Sequence, residues 1–273
     1  MPKPRQSPPR EKNRRRRPRA RWIIAGFCVT AIAGVGTVVA AAGGSGGGAG
    51  SRALTSDEAD RLAVTRFRNY ETGGRAVTIT VPGTGGDLVI TGSVDYRAGL
   101  GYGVVHGTGR DTSSDGLVEW TATSVLVDPM TNAPALAPAT PPTTGWYSRT
   151  LQQTGSTLDS ALTIALSLGA NRPDNAQLLP QNGAAWIGEA KVAGRRVDIM
   201  TGPAARTAQS ARTAQGTPGS GPGTAGTVRY WIGSDGTMYR VEAAVASDTR
   251  PTVIDFDTQK YTPAPVTTSA PAR

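Results

Sequence analysis

Cysteine and histidine are nearly missing from this chain: 273 residues hold one of each, with only three Phe among fifteen aromatic side chains. A lone Cys28 excludes an intramolecular disulfide, so any folded domain rests on its core. Cys28 follows Phe27 in an apolar run, where a lipoprotein signal needs a small residue, so it reads as a small helix residue. A lone His106 leaves no second histidine or usable cysteine for an ordinary zinc site. It also leaves little for a Ser-His-Asp triad, because "TGSVD" lacks a nucleophile's sharp turn. No cofactor is expected, and no enzyme.

An acidic balance is missing too, but the formal charge of +9 describes only one end. Residues 1–21 carry ten of the 29 basic and one of the 20 acidic side chains, leaving nineteen of each elsewhere. With a neutral remainder, the charge is no evidence for a nucleic-acid surface on the folded part, and no nucleic-acid partner is expected. The glycine run "GGSGGGAGS" has no Gly-Lys-Ser/Thr ending and no strand before it, which excludes a phosphate-binding loop.

What is present begins with "WIIAGFCVTAIAGVGTVVAAA", Trp22 to Ala42, 21 uncharged residues. As a helix it would span roughly 31 Å, enough for a bilayer core. The arginine run before it predicts a cytoplasmic N-terminus and an extracytoplasmic remainder. A signal peptide cut near "VVAAAGG", with secretion, is the competing reading. The expected organisation is a disordered basic tail (1–21) able to touch anionic lipid headgroups, a transmembrane helix (22–42) in the bilayer and a Gly/Ser-rich linker (43–53). One domain (54–261) follows, with a disordered insertion (203–226), and then a disordered tail (262–273).

Within that domain, Thr55 and Glu58 have capping-box spacing. Ala59, Leu62, Ala63, Phe67 and Tyr70 then share a helical face. Period-two runs follow. "AVTITV" is the first strand. Leu88, Ile90, Gly92, Val94 and Tyr96 share a face, as do Leu100, Tyr102, Val104 and His106. So do Val118, Trp120, Ala122 and Leu126. Residues 128–145 read as a long loop. "GSTLDSALTIALSLGA" reads as a helix with Leu158, Leu162, Ala165 and Leu166 inward, and "RPDNAQLL" as a short one with Pro173 in its first turn. Trp186, Gly188, Ala190 and Val192 then alternate, and Val197 and Ile199 return.

"TVRYWIGSDGTMYRVEAAV" predicts a hairpin with Asp235-Gly236 as a two-residue turn. Ile232 then faces Tyr239, Tyr230 faces Val241, and Val228 faces Ala243. Behind them Trp231 opposes Arg240, and Arg229 opposes Glu242. Asp255 and Asp257 in the last strand, two apart, would point the same way and read as a solvated face; "DTSSDG" (111–116) reads as a hairpin tip.

This pattern implies an α+β domain, a curved antiparallel half-barrel packed on two or three helices. "VRYWIGSDGTMYRVEA" with "TVIDFDTQKY", and the earlier "VITGSVDYRAGLGYGVV" and "LDSALTIALSLGA", resemble the LppX/LprG class of actinobacterial envelope lipoproteins, related in fold to the LolA carriers. The lipidated cysteine of that class is absent here. The resemblance implies a concave face that holds an acyl chain, a lipid or a lipoprotein moiety. The candidate lining is Val228, Tyr230, Ile232, Tyr239, Val241, Trp120, Trp186 and Tyr102. The alternative is a non-catalytic structural or interaction ectodomain whose sheet is filled by its own helices.

Overall fold

A computed structural model describes residues 50–109, 114–152, 156–202, 228–245 and 250–263. The expected membrane span, the basic tail and the 203–226 insertion lie outside them. Among the described residues, no helix is long and apolar enough to cross a membrane.

Among the described residues, twelve strands form one open antiparallel sheet: β1 (Arg52–Ala53), β2 (Gly74–Val81), β3 (Leu88–Asp95), β4 (Leu100–Gly107), β5 (Gly116–Trp120), β6 (Ser124–Pro129), β7 (Tyr147–Thr150), β8 (Ala185–Val192), β9 (Arg195–Gly202), β10 (Val228–Ile232), β11 (Met238–Ala243) and β12 (Thr252–Phe256). The order across it is β1-β8-β9-β10-β11-β12-β2-β3-β4-β5-β6-β7. Two meanders are therefore joined where the last strand, β12, pairs with β2. The helices are α1 (Ser56–Glu71), α2 (Thr157–Ser167) and α3 (Leu178–Gln181).

Helix α1 starts where the capping box places it. Thr55 Oγ1 accepts from the Glu58 N–H at 3.3 Å, and the Glu58 carboxylate accepts from the Thr55 N–H at 2.9 Å. Arg52 grips the same carboxylate through both terminal nitrogens at 2.7 Å and lies 4.2 Å from the Trp186 ring centroid. Arg52 and Ala53, expected in the linker, thus belong to the sheet, as β1 on β8. The buried face of α1 holds Ala59, Leu62 and Ala63 and then turns to Thr65 and Asn69, leaving Phe67 and Tyr70 half-buried. Helix α2 buries Asp159, Ala161, Leu162, Ile164 and Ala165, with Leu158 and Leu166 at its margins. The third helix begins five residues after Pro173.

Around β2, β4 and β5 the sheet is covered on both faces, which the alternation could not reveal. Helices cover one face. On the other, the proline-rich segment after β6 folds back over β4, where His106 Nε2 meets the Pro134 carbonyl at 3.0 Å. Residues 258–262 cross β2 and β3: Gln259 Nε2 donates to the Val77 and Gly92 carbonyls, and the Thr262 N–H to Ser93 Oγ. Ala76, Val104 and Leu117 are accordingly 0 % exposed on the face away from the helices.

Four strand phases differ from expectation. Leu100, Tyr102 and Val104 do share a buried face, but it is the loop-covered one, and Val105 faces the helices. The Thr121–Thr123 turn resets the phase, so Val125 joins Val118 and Trp120 while Leu126 faces away. A bulge at Ile187 separates Trp186 from Gly188 and Ala190. In β9, Met200 rather than Ile199 meets the core.

The β10–β11 hairpin keeps four of the expected pairs, from Val228–Ala243 to Trp231–Arg240. The fifth differs: Ile232 pairs with Met238, not Tyr239. The turn has three residues, not two. Gly236 N–H donates to Gly233 O at 3.0 Å, Gly233 N–H donates to Thr237 O at 2.9 Å, and only Gly236 has a positive φ, +84°. Asp235 instead accepts from the Thr237 N–H and hydroxyl. The extra turn residue shifts the register by one, and a bulge at Tyr239 shifts it back. Met238 takes the core position, and Tyr239 is half-buried beside Arg195.

Candidate functional site

The sheet–helix interface holds most of the candidate lining. Val228, Tyr230, Ile232 and Val241 are 0–3 % exposed, within one continuous core shared with Leu62, Ala63, Leu162, Ala165 and Leu168. Trp120 is 0 % exposed. Its indole lies over Gly101, and Nε1 donates to the Leu162 carbonyl of α2 at 3.2 Å. Trp186 is half-buried at the margin of the core, with Nε1 donating to Asp198 at 3.0 Å. A cavity wide enough for an acyl chain would leave accessible surface on its walls. The four hairpin residues and Trp120 show almost none, so in this form the interface is filled by the protein's own side chains.

Two candidates fall outside that interface. Tyr239 is excluded by the bulge. Tyr102 stands on the opposite face, beside a pocket of about 80 Å³ that Ser93, Leu136 and Gln259 also line. Burial, then the nearby Glu119 and Asp128 carboxylates, push the Tyr102 hydroxyl up to about 12, and that hydroxyl has no hydrogen-bond partner among the described residues. Burial also pushes Tyr230 up to about 12.

Polar ties between α2 and its surroundings are few. Asp159, wholly buried, takes both terminal nitrogens of Arg149 on β7 at 2.6 Å and the Gln152 N–H at 2.7 Å. Asn69 of α1 donates to the Leu168 carbonyl at 2.9 Å. With the Trp120 bond, these hold the two ends and the middle of α2. The rest of its contact with the sheet is apolar.

A second concavity was missed by the sequence reading. An open cleft of about 500 Å³ at the C-terminal end of α1 is lined by Arg68, Asn69, Glu71, Thr72, Arg75 and Asp257, with Thr237. The Arg75 side chain is 7 % exposed and its partner Asp257 is 55 % exposed. Arg75 Nη1 donates to Asn69 Oδ1 at 3.0 Å and to the Met238 carbonyl at 2.9 Å. Nε and Nη2 take the two Asp257 oxygens, and the guanidinium lies 4.6 Å from the Phe256 ring centroid. The available signal was an arginine in the same phase as Val77, Ile79 and Val81.

Asp257 does not share a face with Asp255. Its φ of +55° ends the strand and turns its carboxylate to Arg75, while Asp255 pairs with Arg240 at 2.6 Å on the far side. His106 Nδ1 lies 3.5 Å from Asp115, which also accepts from the Gly107 N–H, so this pair braces the β4–β5 hairpin. Among the described residues, no three His, Cys, Asp or Glu side chains come together as metal ligands.

No protein-family model matches this chain, and no curated protein matches its sequence. Among solved structures it is similar to the lipoprotein LppX of Mycobacterium tuberculosis, at 12% identity and a TM-score of 0.39 over 76% of this chain and 98% of that one. It is also similar to a DUF1329 family protein from Desulfovibrio piger, at 13% identity and a TM-score of 0.30 over 74% and 91%. A domain from Vibrio parahaemolyticus described as a putative outer membrane lipoprotein-sorting protein matches at 9% identity and a TM-score of 0.22 over 67% and 82%. These likenesses are too distant to assign a family or a function.

Proposed function

We propose that the described domain is a non-enzymatic module of the cell envelope that takes an apolar chain, from a lipid or a lipoprotein, between its sheet and its helices. One observation carries this: α2 covers the sheet through apolar side chains, and among the described residues its side-chain ties to other elements are those of Asp159 to Arg149 and Gln152, of Asn69 to Leu168 and of Trp120 to Leu162. A cover held by non-directional contacts can be exchanged for another apolar group at modest cost, because the sheet stays shielded from water. Met200 and Met238, both 0 % exposed, give the core side chains that repack readily.

The test uses the full chain in a neutral detergent and a dibrominated fatty acid as quencher. Saturable quenching of tryptophan fluorescence, largely lost in Trp120→Phe, is expected. No saturable quenching would favour the second reading, an interaction domain with a permanently filled core. The near-zero exposure of Val228, Tyr230, Ile232 and Val241 speaks for that reading.

We further propose that residues 22–42 anchor the domain as a single-pass helix, with residues 1–21 cytoplasmic. The charge-free 21-residue run behind the arginines supports it. Membranes of the native host washed with alkaline carbonate should retain the full-length chain. Recovery of a shortened chain in the wash would instead indicate a cleaved signal peptide.

A further inference from the structure

We infer that the cleft at the end of α1 is an exchangeable seat for the phosphate group of a ligand, with the Asp257 carboxylate as its resident stand-in. The seat is separate from the sheet–helix interface and does not depend on the apolar reading.

The argument starts from an asymmetry. The Arg75 guanidinium is buried and held on three sides, by Asn69 Oδ1, the Met238 carbonyl and the Phe256 ring. It cannot follow a departing partner, so it presents a fixed fork that needs an anion. Its anion is the more exposed member. Asp257 is 55 % exposed and lies beyond the end of β12 with a φ of +55°; its N–H is held by the Ala76 carbonyl, so the carboxylate can turn out to solvent while the backbone stays in place.

A second cation stands in the same cleft. Arg68 is exposed and has no ion-pair partner among the described residues. Its Nε lies 3.2 Å from where a Cβ on Gly236 would stand, which places the guanidinium against the hairpin turn. With Asp257 swung away, the cleft holds Arg68 and Arg75 against the single carboxylate of Glu71. Asp235 also feels the Arg68 charge and is held below the usual carboxylate range, first by the Thr237 hydroxyl. Two guanidiniums around a space of about 500 Å³ suit a tetrahedral phosphate with several acceptor oxygens. That phosphate can belong to a lipid headgroup or be free in solution.

The experiment titrates the full chain in neutral detergent with inorganic phosphate and with dihexanoyl phosphatidate, followed by calorimetry and thermal unfolding. Saturable binding of phosphate is expected. Asp257→Asn should tighten it roughly tenfold, because the resident competitor loses its charge, and asparagine tolerates the same φ. Arg68→Gln should loosen it roughly tenfold, about the worth of one charge-assisted contact. The arginine-rich N-terminal segment also attracts anions, so the assignment rests on these differences between variants. Tighter binding of the phosphatidate than of inorganic phosphate identifies a lipid headgroup as the source; equal binding identifies free phosphate. The proposal is overturned if neither the full chain nor Asp257→Asn binds phosphate saturably. It is equally overturned if Asp257→Asn binds no tighter than the unaltered chain, the result expected of a purely structural Arg75–Asp257 pair.

Discussion

Replacing Arg149 with methionine should destabilise the domain by about 3–5 kcal/mol at neutral pH and reverse its response to mild acid. The two partners of this ion pair sit in different surroundings: the Asp159 side chain is 0 % exposed and that of Arg149 is 40 % exposed. Removing the arginine leaves a carboxylate at the start of α2 with the Gln152 N–H as its remaining partner from outside the helix among the described residues. In the intact chain, burial pushes Asp159 upward, but Arg149, the Gln152 N–H and the Ser156 hydroxyl outweigh it and hold the carboxyl below its usual range. Its contribution is therefore complete above the ordinary aspartate pKa and is lost as pH falls through the lower folded value. In Arg149→Met, burial dominates and the folded pKa lies above the ordinary one. The folded state then takes up a proton first, so stability rises as pH falls through that value toward the ordinary one. Urea unfolding at pH 7 and pH 5, followed by tryptophan fluorescence, measures both effects. Equal losses at the two pH values would show that Asp159 does not depend on Arg149 for its charge.

Trp120→Ala should cost about 3–5 kcal/mol, the range for deleting a fully buried large aromatic. The indole fills the space between β4, β5 and α2, and its Nε1–H ties it to the Leu162 carbonyl. Trp120→Phe keeps most of the ring and should cost about 1–2 kcal/mol, mainly for the lost hydrogen bond and part of the volume. Gly101 supplies a coupling test. A Cβ there would overlap the indole, so Gly101→Ala alone should overpack the site and destabilise. In the Trp120→Ala background the same methyl enters the vacated space and should cost little or help. Strictly additive losses in the double variant would mean that the indole does not rest on Gly101.

Much of the local structure was legible because its causes are local. The capping box of Thr55 and Glu58 names the start of α1 from two residues. Period-two alternation placed nearly every long strand, and four of five hairpin pairs followed from which residues can face one another. The signals failed where one residue acts. An extra turn residue and the Tyr239 bulge exchanged Met238 for Tyr239 in the core. The bulge at Ile187 flipped the phase of β8. A left-handed Asp257 separated two aspartates that alternation had placed together. Each is a change of one residue or one dihedral, too small for a pattern spread over many positions to record.

Read alone, the residues establish a charged end, an uncharged 21-residue run, the lack of a second cysteine for a disulfide, and a body that alternates as an antiparallel sheet. Composition and spacing decide those properties without reference to distant residues. Tertiary structure decided which face of each strand meets which cover. Alternation says only that Tyr102 and Val104 lie on one side. Whether that side meets helices or a proline-rich segment depends on where residues 130–146 and 258–262 come to rest. It also brought Arg75 to Asp257 across 182 positions, and Arg149 on β7 to the buried start of α2. Buried charges need partners that only a completed fold can deliver.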